Sequence, residues 1–178
     1  MKSYSVVYPQ KELLKNVCID AGALAFVYFT PVIAHLIAFP VYMIEPMRIM
    51  VILSMAHSSR RNSYLLAFTL PLFSYIASSH PEFFKMLIIT AELVLNVFIF
   101  YWLAGRMKNV FLAMIAAIIT SKVACYIMYL LFFSLAFVRD EAGTIFLLAQ
   151  LITTILFSAY IFIFWKKTNQ RLNENRGL

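Results

Sequence analysis

Charged residues are scarce in this sequence. They make up 13% of its 178 residues, while 63% are hydrophobic and the mean hydropathy is +0.84. A soluble domain carries about 25% charge and about 45–50% apolar residues. The balance excludes an ordinary soluble domain and fits one compact membrane domain. Cysteine is scarce as well. Cys18 and Cys125 both fall in apolar segments, where they read as small buried hydrophobes rather than as a disulfide framework. A secretory leader is not expected, because the first apolar run, 17–39, is too long for a signal-peptide core and has no small-x-small exit site.

The common chemical signatures are missing too. There is no G-x-x-x-x-G-K-[ST] phosphate loop. His and Cys occur at no convincing metal-ligand spacing, and His80 beside Glu82 supplies only two ligands. Ser78-Ser79-His80 has no activating partner for nucleophilic chemistry. The expectation is therefore a protein that is not an enzyme and uses no cofactor and no metal. No internal repeat or low-complexity segment interrupts the chain.

What is present is a series of apolar runs, placed at about 17–39, 41–59, 63–78, 83–103, 110–137 and 143–165. At about 20 residues per crossing they read as an all-α, polytopic bundle of six transmembrane helices in a single domain, 1–178. The second run is the weakest, with Glu45, Pro46 and Arg48 at its start. It reads as a short or broken helix with an irregular, protein-covered end. Pro71 is expected to interrupt the third. Six crossings return both termini to one side. If that side is cytoplasmic, Lys2, Lys11, Lys15, Arg60, Arg61, Arg106, Lys108, Lys166, Lys167, Arg171 and Arg176 lie inside, eleven of the 15 basic residues. That asymmetry fits the positive-inside rule and assigns the net charge of +7 to orientation rather than to nucleic acid.

Against this topology the remaining polar residues fall in the outer half. Lys85, Glu92 and Asn96 stand at i, i+7 and i+11 and project within roughly 40° of each other on one helix face. His35, Glu45, Arg48 and His80 approach from other segments, Lys122 and Tyr126 from the fifth run and Gln150 from the sixth. Intramembrane charges face the bundle interior and pair. The expected pairs are Lys122 with Glu92 and Arg48 with Glu45. Two readings stay open: these residues line an outward-facing pocket for a small zwitterion or polar heterocycle, or they only hold helices together. Ala21 and Ala25, four apart, would let another helix approach closely.

The size, the broken second span and the stretches Pro31-x-x-x-His35, Glu45-Pro46-x-Arg48 and His80-Pro81-x-x-x-Lys85 resemble the substrate-binding S components of energy-coupling factor transporters. The resemblance is one of size and topology over the whole chain, with diffuse motifs. It implies capture of a vitamin-like micronutrient and docking on a membrane scaffold subunit with an ATPase pair, through Ala21 and Ala25. It further implies residence in the cell membrane. The alternative is a small integral-membrane scaffold or interaction subunit of a cell-envelope complex, with a structural polar core. An intramembrane lipid enzyme is a third reading, for which no catalytic constellation is seen.

Overall fold

The computed structural model describes the backbone of residues 10–38, 41–78, 81–134 and 146–174, and side chains over 13–38, 41, 44–78, 81–132 and 150–165. Six α-helices follow one another: α1 (Gln10–Ile37), α2 (Pro46–His57), α3 (Arg60–Ser78), α4 (Phe83–Ala104), α5 (Val110–Ser134) and α6 (Phe146–Glu174). A one-turn 3-10 helix, Val41–Ile44, joins α1 to α2.

Local chemistry accounts for the boundaries. Pro46 occupies the first turn of α2, where its missing N–H is no loss. Ser59 caps α3 by accepting the Asn62 N–H at 3.2 Å, and Asn109 caps α5 by accepting the Phe111 N–H at 3.0 Å. Pro71 does not break α3, which runs through it.

Helices α4 and α5 pack along each other, α3 lies against α4, and α6 lies against α5 and α2. α1 touches α2, α3 and the 3-10 turn. The core is built of Ile52, Met55, Leu70, Val97, Phe100 and Met114, each at most 2% exposed. Lengthwise order follows from contacts at one end. Ser58 donates to Asn16 at 2.7 Å, His57 meets Tyr160 at 2.8 Å, and the Arg60 guanidinium lies 5.1 Å from the Tyr101 ring centroid. The start of α1, the α2–α3 turn, the end of α4 and the later part of α6 therefore share one end. Residues 41–48 and the start of α4 lie towards the other.

The expectation of six crossings is not met. Among the described residues, only Leu13–Ile37, Phe83–Ala104 and Val110–Phe132 are both long and apolar enough to span a membrane. α2 has 12 residues, about 18 Å at 1.5 Å each, against a hydrocarbon core of about 30 Å. Within α6 the stretch with described side chains, Gln150–Trp165, is apolar and shorter than those three. α3 opens on Arg60, Arg61, Asn62 and Ser63, which leaves too little continuous apolar length. Placing both termini in the cytoplasm rested on six crossings and falls with them. What stands is an all-α bundle with several long apolar helices, consistent with a multi-pass membrane protein.

Candidate functional site: a buried charge quartet and its cavity

Between Ile44 and Pro46 the chain makes a sharp corner. Glu45 adopts φ 53°, ψ 62°, the left-handed region that costs a side-chain-bearing residue about 1–2 kcal/mol. The corner aims its carboxylate into the bundle. One turn on, Arg48 is only 3% exposed. Nη1 of Arg48 lies 2.6 Å from Oε2 of Glu45, and Nη2 of Arg48 donates to Oε1 of Glu92 on α4. Nζ of Lys122 on α5 donates to Oε1 of Glu45 and stands 3.8 Å from Oε1 of Glu92. Both expected pairs are present, Arg48 with Glu45 and Lys122 with Glu92. They are joined by two cross-pairs into one quartet.

Two carboxylates, a guanidinium and an ammonium sum to zero formal charge. That neutrality is what allows four ionic groups to sit together at 3–21% side-chain exposure. The quartet also ties α2, α4 and α5 to the corner before α2. Its hydrogen bonding is incomplete, however. The Arg48–Glu45 contact is short, but its angle misses hydrogen-bond geometry. Nε of Arg48 has no hydrogen-bond partner among the described residues.

Asn96 lies one helical turn beyond Glu92 and is fully buried. Its amide donates to Oγ of Ser121 at 3.5 Å, and that hydroxyl donates to the Ile118 carbonyl at 2.9 Å. Oδ1 of Asn96 has no partner among the described residues.

A cavity of about 230 Å³ adjoins the quartet. Glu45, Arg48 and Glu92 line one side, and Val27, Pro31 and Leu93 are among the apolar residues on the others. Pro31 sits inside α1 and has no N–H to give the Val27 carbonyl four residues earlier.

The other residues expected at the site are placed elsewhere. Lys85 is half-buried and does not line the cavity. His35 is exposed and lines a separate outer cleft with Val32 and Leu36. Tyr126 is 57% exposed. Gln150 offers its backbone carbonyl to the Thr153 and Thr154 hydroxyls, at 3.1 and 2.6 Å. His80 lies outside the described residues. Ala21 and Ala25 face outward on α1, and a Cβ on the intervening Gly22 would meet nothing within 4 Å. Cys18 and Cys125 are both free thiols.

A second polar cluster lies at the opposite end. Asn62 donates to Asp20 at 2.6 Å, and Ser54 and Ser63 meet at 3.3 Å. His57 is held below its ordinary value first by burial and then by the nearby Lys15 charge. The basic turn at 58–62 and the polar start of α1 were the available signals.

Together these features define a helical bundle, membrane-protein-like in its long apolar helices, with a buried polar and charged core. The chain matches no known family model, no curated protein and no solved structure.

Proposed function

We propose that this protein is a small integral-membrane interaction subunit of a cell-envelope complex, with the quartet as a structural core. The observation that carries this is the mutual satisfaction of the quartet: each charge already has an opposite charge beside it within the chain. Support for the interaction role comes from α1. Only 11% of its most apolar window is buried, against 33% for α4 and for α5, and Ala21, Gly22 and Ala25 face outward. In this reading the chain performs no chemistry of its own. Crosslinking in native membranes followed by purification tests it. A stoichiometric envelope partner is expected, lost in Ala21→Leu/Ala25→Leu while the unfolding midpoint is unchanged. Recovery of the chain alone from crosslinked membranes would sink the reading.

The cavity favours a second reading, solute capture in the manner of an energy-coupling factor S component. A hollow walled largely by apolar residues, with Glu45, Arg48 and Glu92 along one side, has the make-up of a ligand pocket. In that case a scaffold subunit and two ATPases co-purify instead, and the bound solute is a vitamin-like micronutrient.

A further inference from the structure

We infer that the basic end of the bundle holds the headgroup of an anionic phospholipid, met by Arg60 and Arg106 beside the last turn of α4. The inference needs only that the long apolar helices lie in a bilayer, and it stands under either functional reading above.

Charge is the first observation. Arg60, Arg61, Arg106 and Lys108 are all exposed at this end. Among the described residues the carboxylate at this end is Asp20, and it already accepts from the Asn62 amide at 2.6 Å. No ion pair among the described residues involves Arg60, Arg106 or Lys108. Helices α3 and α5 also open here, and neither has an acidic residue in its first turn to meet the positive end of the helix dipole.

Geometry is the second. The Arg60 guanidinium lies 5.1 Å from the Tyr101 ring centroid and 5.8 Å from that of Tyr64, and the Arg106 guanidinium lies 4.0 Å from that of Trp102. Tyr101 and Trp102 are neighbours in the last turn of α4, so one turn holds two guanidiniums. A ring contact fixes the position of a guanidinium without cancelling its charge, which stays available to a phosphate.

The third observation is the surface that adjoins these cations. Trp102 is 47% exposed, and Phe98, one turn back on the same face, is 52% exposed. Leu65, one turn on from Arg61, is 60% exposed. α4 is about 33 Å long against a hydrocarbon core of about 30 Å, so its last turn falls at the boundary, where tryptophan is favoured. The cations therefore rim an apolar wall. A soluble polyanion matches only the rim. A phospholipid matches both, with its phosphate on the guanidiniums and its acyl chains along Phe98 and Leu65.

The chain has two tryptophans, so Trp165→Phe leaves Trp102 as a reporter at the site. This full-length variant is placed in bilayers of phosphatidylcholine mixed with phosphatidylglycerol, one or the other carrying brominated chains that quench the indole on contact. Phosphatidylglycerol is expected to occupy the surface around Trp102 with at least about fivefold higher relative affinity, falling as salt rises. Arg60→Gln/Arg106→Gln is expected to bring that ratio to about one, and Arg60→Lys/Arg106→Lys to keep most of it. Lys85→Gln, at the other end of α4, is expected to leave it unchanged. If the double glutamine variant does not fold, Arg106→Gln alone is expected to halve the ratio or better. Equal quenching by the two lipids overturns the proposal. A preference that survives the glutamine substitutions overturns its location. Loss of the preference on adding stoichiometric polyglutamate assigns the patch to an acidic partner chain and overturns the lipid.

Discussion

Arg48 is the buried cation through which both carboxylates of the quartet are joined. Burial of a guanidinium at 3% exposure is tolerable only because Glu45 and Glu92 flank it. Removing it strands two carboxylates with Lys122 as their one close counter-charge. Breaking a buried pair from one side typically costs about 3–5 kcal/mol, because the abandoned charge stays desolvated. Arg48→Met is therefore expected to lower stability by about that amount in denaturant titration. Arg48→Lys should recover only part of it, since an ammonium lacks the fixed planar fork with which the guanidinium meets the two carboxylates. Equal stability of Arg48→Met and wild type would mean that the carboxylates find other partners. Glu45 shows the same economy from the backbone side: its left-handed conformation is offset by the two ion pairs it makes possible.

Among the elements, α2 is too short to span and α4 and α5 are long, yet the three are locked at one level. α2 reaches it through Arg48, α4 through Glu92 and α5 through Lys122. Because Glu92 and Lys122 belong to one network, their contributions should not add. A double-mutant cycle with Glu92→Gln and Lys122→Met is expected to show coupling of about 0.5–3 kcal/mol, with the double variant less damaged than the sum of the singles. Additive effects would show that the 3.8 Å approach of these two groups is incidental and that each is held by Arg48 or Glu45 alone.

At the scale of the whole molecule, the bundle has two chemically distinct ends. One carries Arg60, Arg61, Arg106 and Lys108 with the rings of Tyr64, Tyr101 and Trp102, and Arg106 lies 4.0 Å from the Trp102 ring centroid. Towards the other lie the quartet and its cavity. Glu92 stands about 18 Å along α4 from Ala104, so the quartet lies within the bundle, while the whole of α4, 22 residues and about 33 Å, is long enough to cross a hydrocarbon core. In a variant lacking Cys18 and Cys125, Glu82→Cys and Lys108→Cys are expected to react with an impermeant maleimide from opposite sides of a sealed vesicle. Ser59→Cys should label with Lys108→Cys, because the α2–α3 turn lies at the same end. Labelling of Glu82→Cys and Lys108→Cys from one side would mean that α4 does not cross.

Much of this was legible in the chain itself. Low charge and long apolar runs dictate helices, because a buried backbone must bond to itself, and Pro46 marks the start of α2 for the same local reason. The 100° period put Glu92 and Asn96 on one face, and both turn inward. The need of a buried charge for a partner anticipated Glu92 with Lys122 and Glu45 with Arg48. Hydropathy alone overstated the number of crossings, since it measures how apolar a run is and not how much of it forms one straight helix. The left-handed corner at Glu45 cuts the second run, and the polar start of α3 shortens the third. Sharing a depth in the bundle did not bring His35, Tyr126 or Lys85 to the cavity, because depth leaves the direction of a side chain around its helix axis open. The sequence by itself determined which residues must be buried and that the buried charges must pair. Only the tertiary structure decided that two pairs become one neutral quartet beside a hollow, because that depends on how α2, α4 and α5 are turned towards one another, and no period along a single helix encodes it.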